Sequence, residues 1–314
     1  MLKSRFLILI LLFSLLFTAA CQSSKVESCE NLITFTDALD REVSVPQNPE
    51  KVAALLGSFA DVWTLAGGTL CAAPEDAWTD FNLELDGAIN IGGAHSPSLE
   101  LLVSSSPDFV IASASTASNV EMKEALESMG ISVAYFDVDN FDDYLNMLDI
   151  CTDITDRRDL YVENGLALKE QINRIKTQYK EGNIPDNEKR VLLLRAASGF
   201  IKAKGSVGTV LGEMLFDIGC DNIADSDTSL LESLSVEAVI KENPHCIFVV
   251  TMGNDTDAAR ATLENMIKGN PVWNTLDAVK NGRLYIMDKK LFNMKPNKHW
   301  AEAYEILYEK LTKK

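Results

Sequence analysis

Two stretches of the chain repeat one residue pattern at an offset of 137 positions. The first, PSLELLVSSSPDFVIAS, covers 97–113, and the second, LSVEAVIKENPHCIFVV, covers 234–250. The offset superposes Ser98 on Ser235, Glu100 on Glu237, Pro107 on Pro244 and Val110 on Ile247. In the first copy a serine and a proline start a helix, apolar residues follow at helical spacing, and a second proline ends the helix before a short apolar strand. A helix-to-strand unit that is used twice predicts two similar α/β lobes.

The rest of the chain continues this alternation. Apolar runs predict strands at 51–56, 109–112, 131–136, 190–195, 246–251 and 284–287. Helical spacing predicts helices after Gly57, at 119–129, 209–218, 233–242, 256–268, 272–279 and 298–313. Strands that alternate with helices are typical of mainly parallel sheets with helices on their faces.

One segment does not follow this alternation of strands and helices. Residues 155–181 contain no proline and many strong helix formers, with apolar residues at helical spacing. A helix of this length reaches roughly 40 Å, which is the size of a whole lobe. We therefore predict an N-terminal lobe at 32–153, a rigid interdomain helix at 154–182 and a C-terminal lobe at 183–314, with a ligand cleft between the lobes. One continuous helix resists hinge bending, so we expect little closure on ligand binding.

The N-terminus has the pattern of an export signal. Lys3 and Arg5 precede an apolar run of twelve residues, and small residues lead to Cys21. The run is too short to span a bilayer, which takes roughly 20 residues. Thr-Ala-Ala before Cys21 resembles the lipobox of bacterial lipoproteins, in which the cysteine is lipidated. We expect a signal peptide at 1–20 and a lipidated tether at 21–31; ordinary cleavage near Ala20 is the alternative.

The charge and the cysteines exclude several functions. The chain has 46 acidic and 29 basic residues, a net charge of −17, which disfavours binding to nucleic acid. The five cysteines after Cys21 are odd in number and contain no C-x-x-C spacing, so they indicate neither a zinc site nor a disulfide framework. We expect most of them to be small buried apolar residues.

Four stretches resemble the substrate-binding lipoproteins of ABC importers, in the class that serves iron-siderophores, haem and cobalamin. They are ITFTDALDREVSVPQNPEKVAALLG at the start, the two repeated units, GCDNIADSDTSLLESLSVEAVI, and KPNKHWAEAYEILYEKL at the end. The resemblance covers nearly all of the mature chain. It implies two α/β lobes joined by one rigid helix, no resident cofactor, no enzymatic activity, and a monomer anchored to the outer face of the bacterial cytoplasmic membrane.

The resemblance also gives a role to the repeated glutamates. In the family, one glutamate on the tip of each lobe forms a salt bridge with arginines of the permease dimer, and the motif positions fall on Glu100 and Glu237. The alternative is structural, because the helix dipole favours a glutamate in any first turn by roughly 0.3 to 1 kcal/mol.

Ligands of α/β sheets bind beyond the carboxyl ends of the strands. Flat apolar walls and a few cations in the loops that follow the strands would suit a bulky anionic metal chelate. The candidate ligand-binding residues are Ser58, Phe59, Trp78, His95, Arg195, Phe200, Lys202, Lys204, Phe292 and Lys295. A ferric siderophore is the first expectation, cobalamin or another corrinoid the second, and haem the third. Trp300, on the amphipathic final helix, is expected in the core.

A secreted α/β enzyme is the competing class. The glycines at 205, 208 and 212 lack the tight G-x-G turn of a dinucleotide site, and the sequence has no G-x-S-x-G elbow or P-loop. Three dispersed histidines, His95, His245 and His299, predict neither a hydrolase centre nor direct protein ligation of a metal. A structural surface lipoprotein would not need a duplicated lobe.

Overall fold

The computed structural model describes residues 31–253 and 255–313. The predicted signal peptide, Cys21 and most of the tether therefore lie outside the described residues. From Leu32 onward the chain forms one compact unit that contains two five-stranded sheets. Within the described part of the chain, no helix has the length and apolar character that crossing a membrane requires.

The first sheet is entirely parallel and has the strand order β5-β4-β3-β8-β9. Its strands are β3 (Val52–Ala54), β4 (Ala72–Ala73), β5 (Ile89–Asn90), β8 (Phe109–Ser113) and β9 (Ser132–Phe136). Two antiparallel pairs accompany it, β1 (Leu32–Thr36) with β2 (Glu42–Pro46), and β6 (Gly92–Gly93) with β7 (Ser96–Pro97). The helices of this lobe are α1 (Gly57–Leu65), α2 (Asp76–Thr79), α3 (Leu99–Ser104), α4 (Ala117–Glu121), α5 (Lys123–Ser128) and α6 (Phe141–Ile154).

The second sheet has the order β11-β10-β13-β14, with β12 beside the start of β10. Its strands are β10 (Arg190–Ala196), β11 (Ile201–Lys204), β12 (Asp221–Asn222), β13 (Cys246–Thr251) and β14 (Leu284–Met287). All pairings are parallel except that of β10 with β11. Its helices are α9 (Val210–Ile218), α10 (Ile223–Ser226), α11 (Ser229–Glu232), α12 (Val236–Glu242), α13 (Thr256–Gly269), α14 (Asp277–Lys280), α15 (Lys289–Phe292) and α16 (Trp300–Thr312), with 3-10 turns at Asp186–Glu188, Pro271–Thr275 and Asn297–His299.

Between the two sheets runs one uninterrupted helical segment, called here the connecting helix. It consists of α7 (Arg158–Tyr161), a π-helical turn (Val162–Leu166) and α8 (Ala167–Glu181). The start of the segment packs on α6 and its end packs on α9 and α16. The Tyr144 hydroxyl donates to the Asn164 carbonyl at 2.8 Å, so the irregular turn keeps a hydrogen bond to the first lobe.

The repeated unit has the same role in both sheets. β8 pairs in parallel with the first strand of its sheet, with Ala53 opposite Val110, and β13 pairs in the same way, with Leu192 opposite Ile247. Both copies end their helix with a left-handed residue before a buried proline. The two-lobed parallel α/β architecture is confirmed, whereas the residue boundaries of the lobes stay a prediction.

Alternation along the strands divides the apolar residues among three cores. Val191 and Leu193 face the largest core, which also contains Phe109 and Ile111 of the first sheet. Leu192 faces a smaller core on the outer side of the second sheet, and the outer side of the first sheet has its own. The connecting helix and α16 supply Ile172, Ile175, Tyr179 and Trp300 to the large core, which therefore joins the two lobes at their base.

Several expectations required correction. Residues 201–204 were predicted as part of a cleft loop but form β11, because the alternating pattern IKAK buries Ala203 and pairs with the edge of β10. The helix α6, with its Asn140 capping box, was not predicted. The helix predicted at 119–129 is split near Met122, and the one at 272–279 is a 3-10 turn followed by α14. Cys151, Cys220 and Cys246 are buried free thiols, as expected, and Trp300 is fully buried.

Candidate functional site: an interlobe cleft and two helix tips

A polar cleft lies where strands of both sheets end. It has a volume of about 540 Å³. The first lobe lines it with residues that follow β4, and the second lobe with residues at and after the ends of β13 and β14: Glu75, Thr79, Asp80, Thr251, Thr256, Arg260, Met287, Asp288, Lys289 and Lys290. This is the position at which parallel α/β sheets bind ligands. Trp78 and Lys295, which were predicted from the sequence, lie in the same segments as several of these residues, but the lining residues themselves were not predicted, and Arg260 gave no signal because it lies on a helix.

A cationic patch lies on the inner face of the second sheet, near the end of β10, where Ala196 is opposite Thr251 of the cleft lining. Arg195, Lys202 and Lys204 form it. Arg195 is opposite Lys202 in the β10–β11 pairing, and the neighbouring Leu194 and Ala203 face the outer core. Because side chains alternate across a strand, the three cations share the opposite, inner face.

The electrostatics of the patch are unfavourable in the unliganded chain. Burial lowers the pKa of Arg195, although Asp139 acts against this shift. Burial and the charges of Arg195 and Lys202 lower the pKa of Lys204. The Nε atom of Arg195 is buried and has no hydrogen-bond partner among the described residues. Positive charges that repel one another and retain an unused donor would be stabilised by an anionic ligand.

Two more of the expected residues, Lys295 and Phe200, are linked to the patch, Lys295 through Asp139, whose charge acts on Arg195, and Phe200 through Lys202. Lys295 Nζ lies 3.1 Å from Asp139 Oδ1, which joins the segment after α15 to the first lobe. Lys202 Nζ lies 5.6 Å from the ring centroid of Phe200, whose side chain is 43% exposed at the rim. The structure therefore brings Arg195, Phe200, Lys202, Lys204 and Lys295 toward one region.

The remaining expected residues are distributed differently. Phe59 and Phe292 are 1% and 2% exposed and pack in the large core, and Ser58 is also buried. Trp78 is half-buried against the same core, and His95 is exposed in the loop between β6 and β7. The buried rings of Phe59 and Phe292 are not available to a ligand.

The turn after β3 brings α1 and α2 into close contact. A Cβ on Gly57 would lie 2.6 Å from the Ala77 backbone nitrogen, so only glycine fits there. The Gly57 N–H donates to Asp76 Oδ2 at 3.1 Å, while Asp76 Oδ1 is buried without a partner. Burial raises the pKa of Asp76 despite the hydrogen bond from Gly57.

The tips of the lobes carry the two repeated glutamates. Ser98 Oγ accepts from the Leu101 N–H at 3.3 Å, and Ser235 Oγ accepts from the Ala238 N–H at the same distance. Glu100 and Glu237 are exposed in the first turns of α3 and α12. Ser235 Oγ also donates to Glu237 Oε2 at 3.1 Å, and among the described residues Ser98 makes no such contact with Glu100. The two carboxylates are thus presented by equivalent caps.

The described residues offer no other arrangement with evident chemistry. A larger cavity of about 840 Å³ lies by the end of α8 and includes Lys189, just before β10 begins, so it is at the opposite edge of the second sheet from the cleft. An apolar groove of about 310 Å³ lies beside α12 and α13. Residues 31–253 and 255–313 contain no group of three or more histidine, cysteine or acidic residues placed to hold a metal ion.

Comparison with known proteins identifies the family. A family model described as a periplasmic binding protein matches residues 52–291. This chain is a periplasmic binding protein. The family binds and delivers a substrate for transport and is not a class of enzymes, so the enzyme alternative is rejected.

Individual proteins similar to this periplasmic binding protein have more specific names. A putative ABC transporter substrate-binding lipoprotein of Bacillus subtilis, YhfQ, is 25% identical over 96% of this chain and 95% of its own. The Fe(3+)-citrate-binding protein YfmC of the same organism is 24% identical over 89% of this chain and 88% of its own. The crystal structure of Staphylococcus aureus SirA complexed with staphyloferrin B covers 89% of this chain and 98% of SirA, with 19% identity and a TM-score of 0.66.

Proposed function

We propose that this chain is the substrate-binding lipoprotein of an ABC importer and that it captures a ferric chelate with anionic groups in the interlobe cleft. The observation that carries the proposal is the cationic patch of Arg195, Lys202 and Lys204 on the inner face of the second sheet. The named ligands of YfmC and SirA, ferric citrate and staphyloferrin B, support an iron chelate as the cargo.

The chemistry of the patch favours carboxylate-type chelates. A guanidinium presents several donors in one plane and matches a carboxylate in two parallel hydrogen bonds. The free Nε of Arg195 supplies one such donor, and the two lysines add charge without fixed geometry. In the cleft, Thr79, Thr251 and Thr256 add hydroxyl groups that can donate to or accept from the oxygens of a chelate.

The helix tips that carry Glu100 and Glu237 are the proposed contacts through which the ligand is delivered to the permease. In our proposal Glu100 and Glu237 contact basic residues of a permease dimer, one tip on each half, while Cys21 carries the lipid that holds the chain at the outer face of the cytoplasmic membrane. Exposed ion pairs add little affinity, so their contribution is mainly orientation. The connecting helix limits closure, so the loaded and empty forms are expected to differ by a small lobe rotation.

The experiment is a titration of the purified chain, without its first twenty residues, with ferric citrate, a ferric hydroxycarboxylate siderophore, a ferric catecholate, haemin and cyanocobalamin. Quenching of tryptophan fluorescence and native mass spectrometry report binding. Tight binding of a ferric carboxylate chelate supports the proposal. Failure of every ferric chelate to bind, with haemin or a corrinoid binding instead, would replace the cargo while keeping the transport role.

Haem is a second candidate, and one observation favours it. His95 is exposed in a first-lobe loop, within electrostatic range of Asp76, and an exposed imidazole can ligate haem iron. Haemin binding with a Soret band that shifts in H95A would establish this alternative. A Soret band unchanged in H95A would remove it.

A further inference from the structure

Residues 289–300, from the start of α15 to the first residue of α16, form a second connection between the lobes, in addition to the connecting helix. Lys290 Nζ donates to the Asp80 carbonyl at 2.6 Å, Lys295 pairs with Asp139, and Trp300 meets the ring of Phe141 edge-on at 6.0 Å between centroids. All three contacts join residues 289–300 to the first lobe. We call residues 289–300 the strap.

Asn297 is the most constrained residue of the strap. It is fully buried, and its Nδ2 atom donates to the Ser58 carbonyl and to Asp61 Oδ2, both at 2.8 Å. Both acceptors belong to α1 of the first lobe. Its backbone has φ 51°, in the left-handed region, which asparagine tolerates better than most residues.

Asp61, the side-chain acceptor on α1, has an unfavourable environment for a charged carboxylate. Burial raises the pKa of Asp61 above its ordinary value, and the hydrogen bond from Asn297 acts against that shift, with help from the nearby charges of Lys298 and His299. A mostly buried carboxylate needs its donors, because an unpaired charge is strongly unfavourable in a low-dielectric site. The Asn297 amide therefore satisfies a first-lobe acid and a first-lobe carbonyl at once.

We propose that Asn297 is a positioning residue of the ligand cleft and that its amide fixes the spacing of the two lobes by pinning the strap to α1. Lys289 and Lys290 of the strap line the cleft, and Lys295 pairs with Asp139, whose charge also acts on Arg195 of the cationic patch. Without the hydrogen bonds of the Asn297 amide, the strap no longer holds α1, and the connecting helix becomes the main constraint on lobe spacing. The inference rests on the proposed function only in taking the gap between the lobes as the ligand site.

Four variants separate the amide from the backbone and the charge. N297G keeps the left-handed backbone and removes the amide. N297D keeps the size but places a carboxylate against Asp61. D61N keeps an acceptor for Asn297, because an amide oxygen replaces the carboxylate oxygen, and it is the matched control. D61N/N297D exchanges the partners, so that the amide at position 61 donates to the carboxylate at 297.

Small-angle scattering of the ligand-free variants and titration with ferric citrate measure the effects. We expect N297D to broaden the distribution of lobe spacings and to weaken ferric citrate binding by roughly ten-fold, because both buried hydrogen bonds of the amide are lost and two carboxylates then face each other. N297G should give a smaller change in the same direction, because it removes the two bonds without adding a charge. D61N should stay closer to the native protein than N297D does, and D61N/N297D should recover only part of the N297D loss, because the Ser58 carbonyl still lacks its donor.

The outcomes distinguish the pin from general destabilisation. A stability defect alone would lower the midpoint of thermal unfolding without changing the scattering of the folded protein. Unchanged lobe spacing in both N297D and N297G would overturn the proposal. If the native chain does not bind ferric citrate, the cargo proposed above is wrong, but the scattering of the ligand-free variants still decides the role of Asn297.

Discussion

Ser106 and Asn243 occupy equivalent positions in the two lobes and have the same unusual backbone. Each follows the last turn of a repeated helix and precedes a buried proline, and their φ angles are 51° and 41°. The left-handed conformation ends the helix and turns the chain into β8 or β13. The asparagine also exchanges two hydrogen bonds with Asp277, whereas the Ser106 side chain makes no hydrogen bond within the described part of the chain.

Replacement of Ser106 by glycine should stabilise the protein. A left-handed backbone is costly for serine and free for glycine, so S106G should raise the free energy of unfolding by about 0.5–1 kcal/mol after the entropy of glycine is counted. Urea unfolding measures the change. S104G is the matched control, because Ser104 is helical and glycine there should lower stability by a similar amount. An S106G variant less stable than the native chain would contradict the role of the turn.

Removal of Arg195, the partly buried cation of the patch, should weaken ligand binding most. We expect R195M to reduce affinity for ferric citrate by roughly 10- to 100-fold, since a hydrogen-bonded charged contact is lost in a site with little water. K202A should cost less, because Lys202 is exposed.

Salt dependence and a control define the limits of that prediction. Higher ionic strength should weaken ligand binding by the native chain more than ligand binding by the R195M/K202A double variant, because the double variant has lost two of the charges that salt screens. K268A is the control, since Lys268 is an exposed second-lobe lysine paired with Glu264 away from the cleft. Native affinity in R195M would show that the patch does not contact the ligand.

Reversal of both tip glutamates should separate delivery from capture. In cells that carry the importer, E100K/E237K should abolish uptake of the iron chelate, because both lobes would then present charges that repel a basic permease surface. Ligand affinity of the purified double variant should stay native, since the helix tips do not line the cleft.

A charge-matched control excludes a general effect on expression or solubility. E170K/E264K reverses two exposed glutamates, one on the connecting helix and one on α13, and should support native uptake. Uptake that persists in E100K/E237K would remove the docking role, and the helix dipole would then be sufficient to explain both residues.

The pH dependence of the free energy of unfolding should show that the pKa of Asp61 is raised. Burial raises its pKa, so the folded chain holds this proton more tightly than the unfolded chain does, for which the ordinary value is 3.8. The contribution of Asp61 to the free energy of unfolding is therefore greatest at low pH and declines as the pH rises from about 3.8 through the raised value.

Asparagine at position 61 cannot ionise, so D61N should lack that decline. The difference between the unfolding free energies of D61N and the native chain should thus shift in favour of D61N as the pH rises from about 3.8. Asp76, whose pKa is also raised, remains in both proteins and cancels in the comparison. A difference that does not vary with pH would show that Asp61 has an ordinary pKa in the fold.

Much of the architecture follows from local patterns in the sequence. The repeated serine, proline and apolar spacing predicted both helix-to-strand units, and β13 and β14 begin and end at the predicted residues. The connecting helix was predicted by its composition, because helix formers without proline or caps leave few other conformations to a segment of that length. Such signals are encoded by residues close together in the chain.

The site depended on contacts that the sequence does not encode locally. Phe59 and Phe292 were expected at the cleft from their loops, but packing buries both rings in a core that joins the lobes. Arg260 and Asn297 gave no signal, since one lies on an ordinary helix and the other acts through atoms 236 and 239 residues away. The sequence by itself determined the repeated units and the helix between them. Only the tertiary structure decided which side chains meet across the gap, because burial and interlobe hydrogen bonds arise when distant segments pack together.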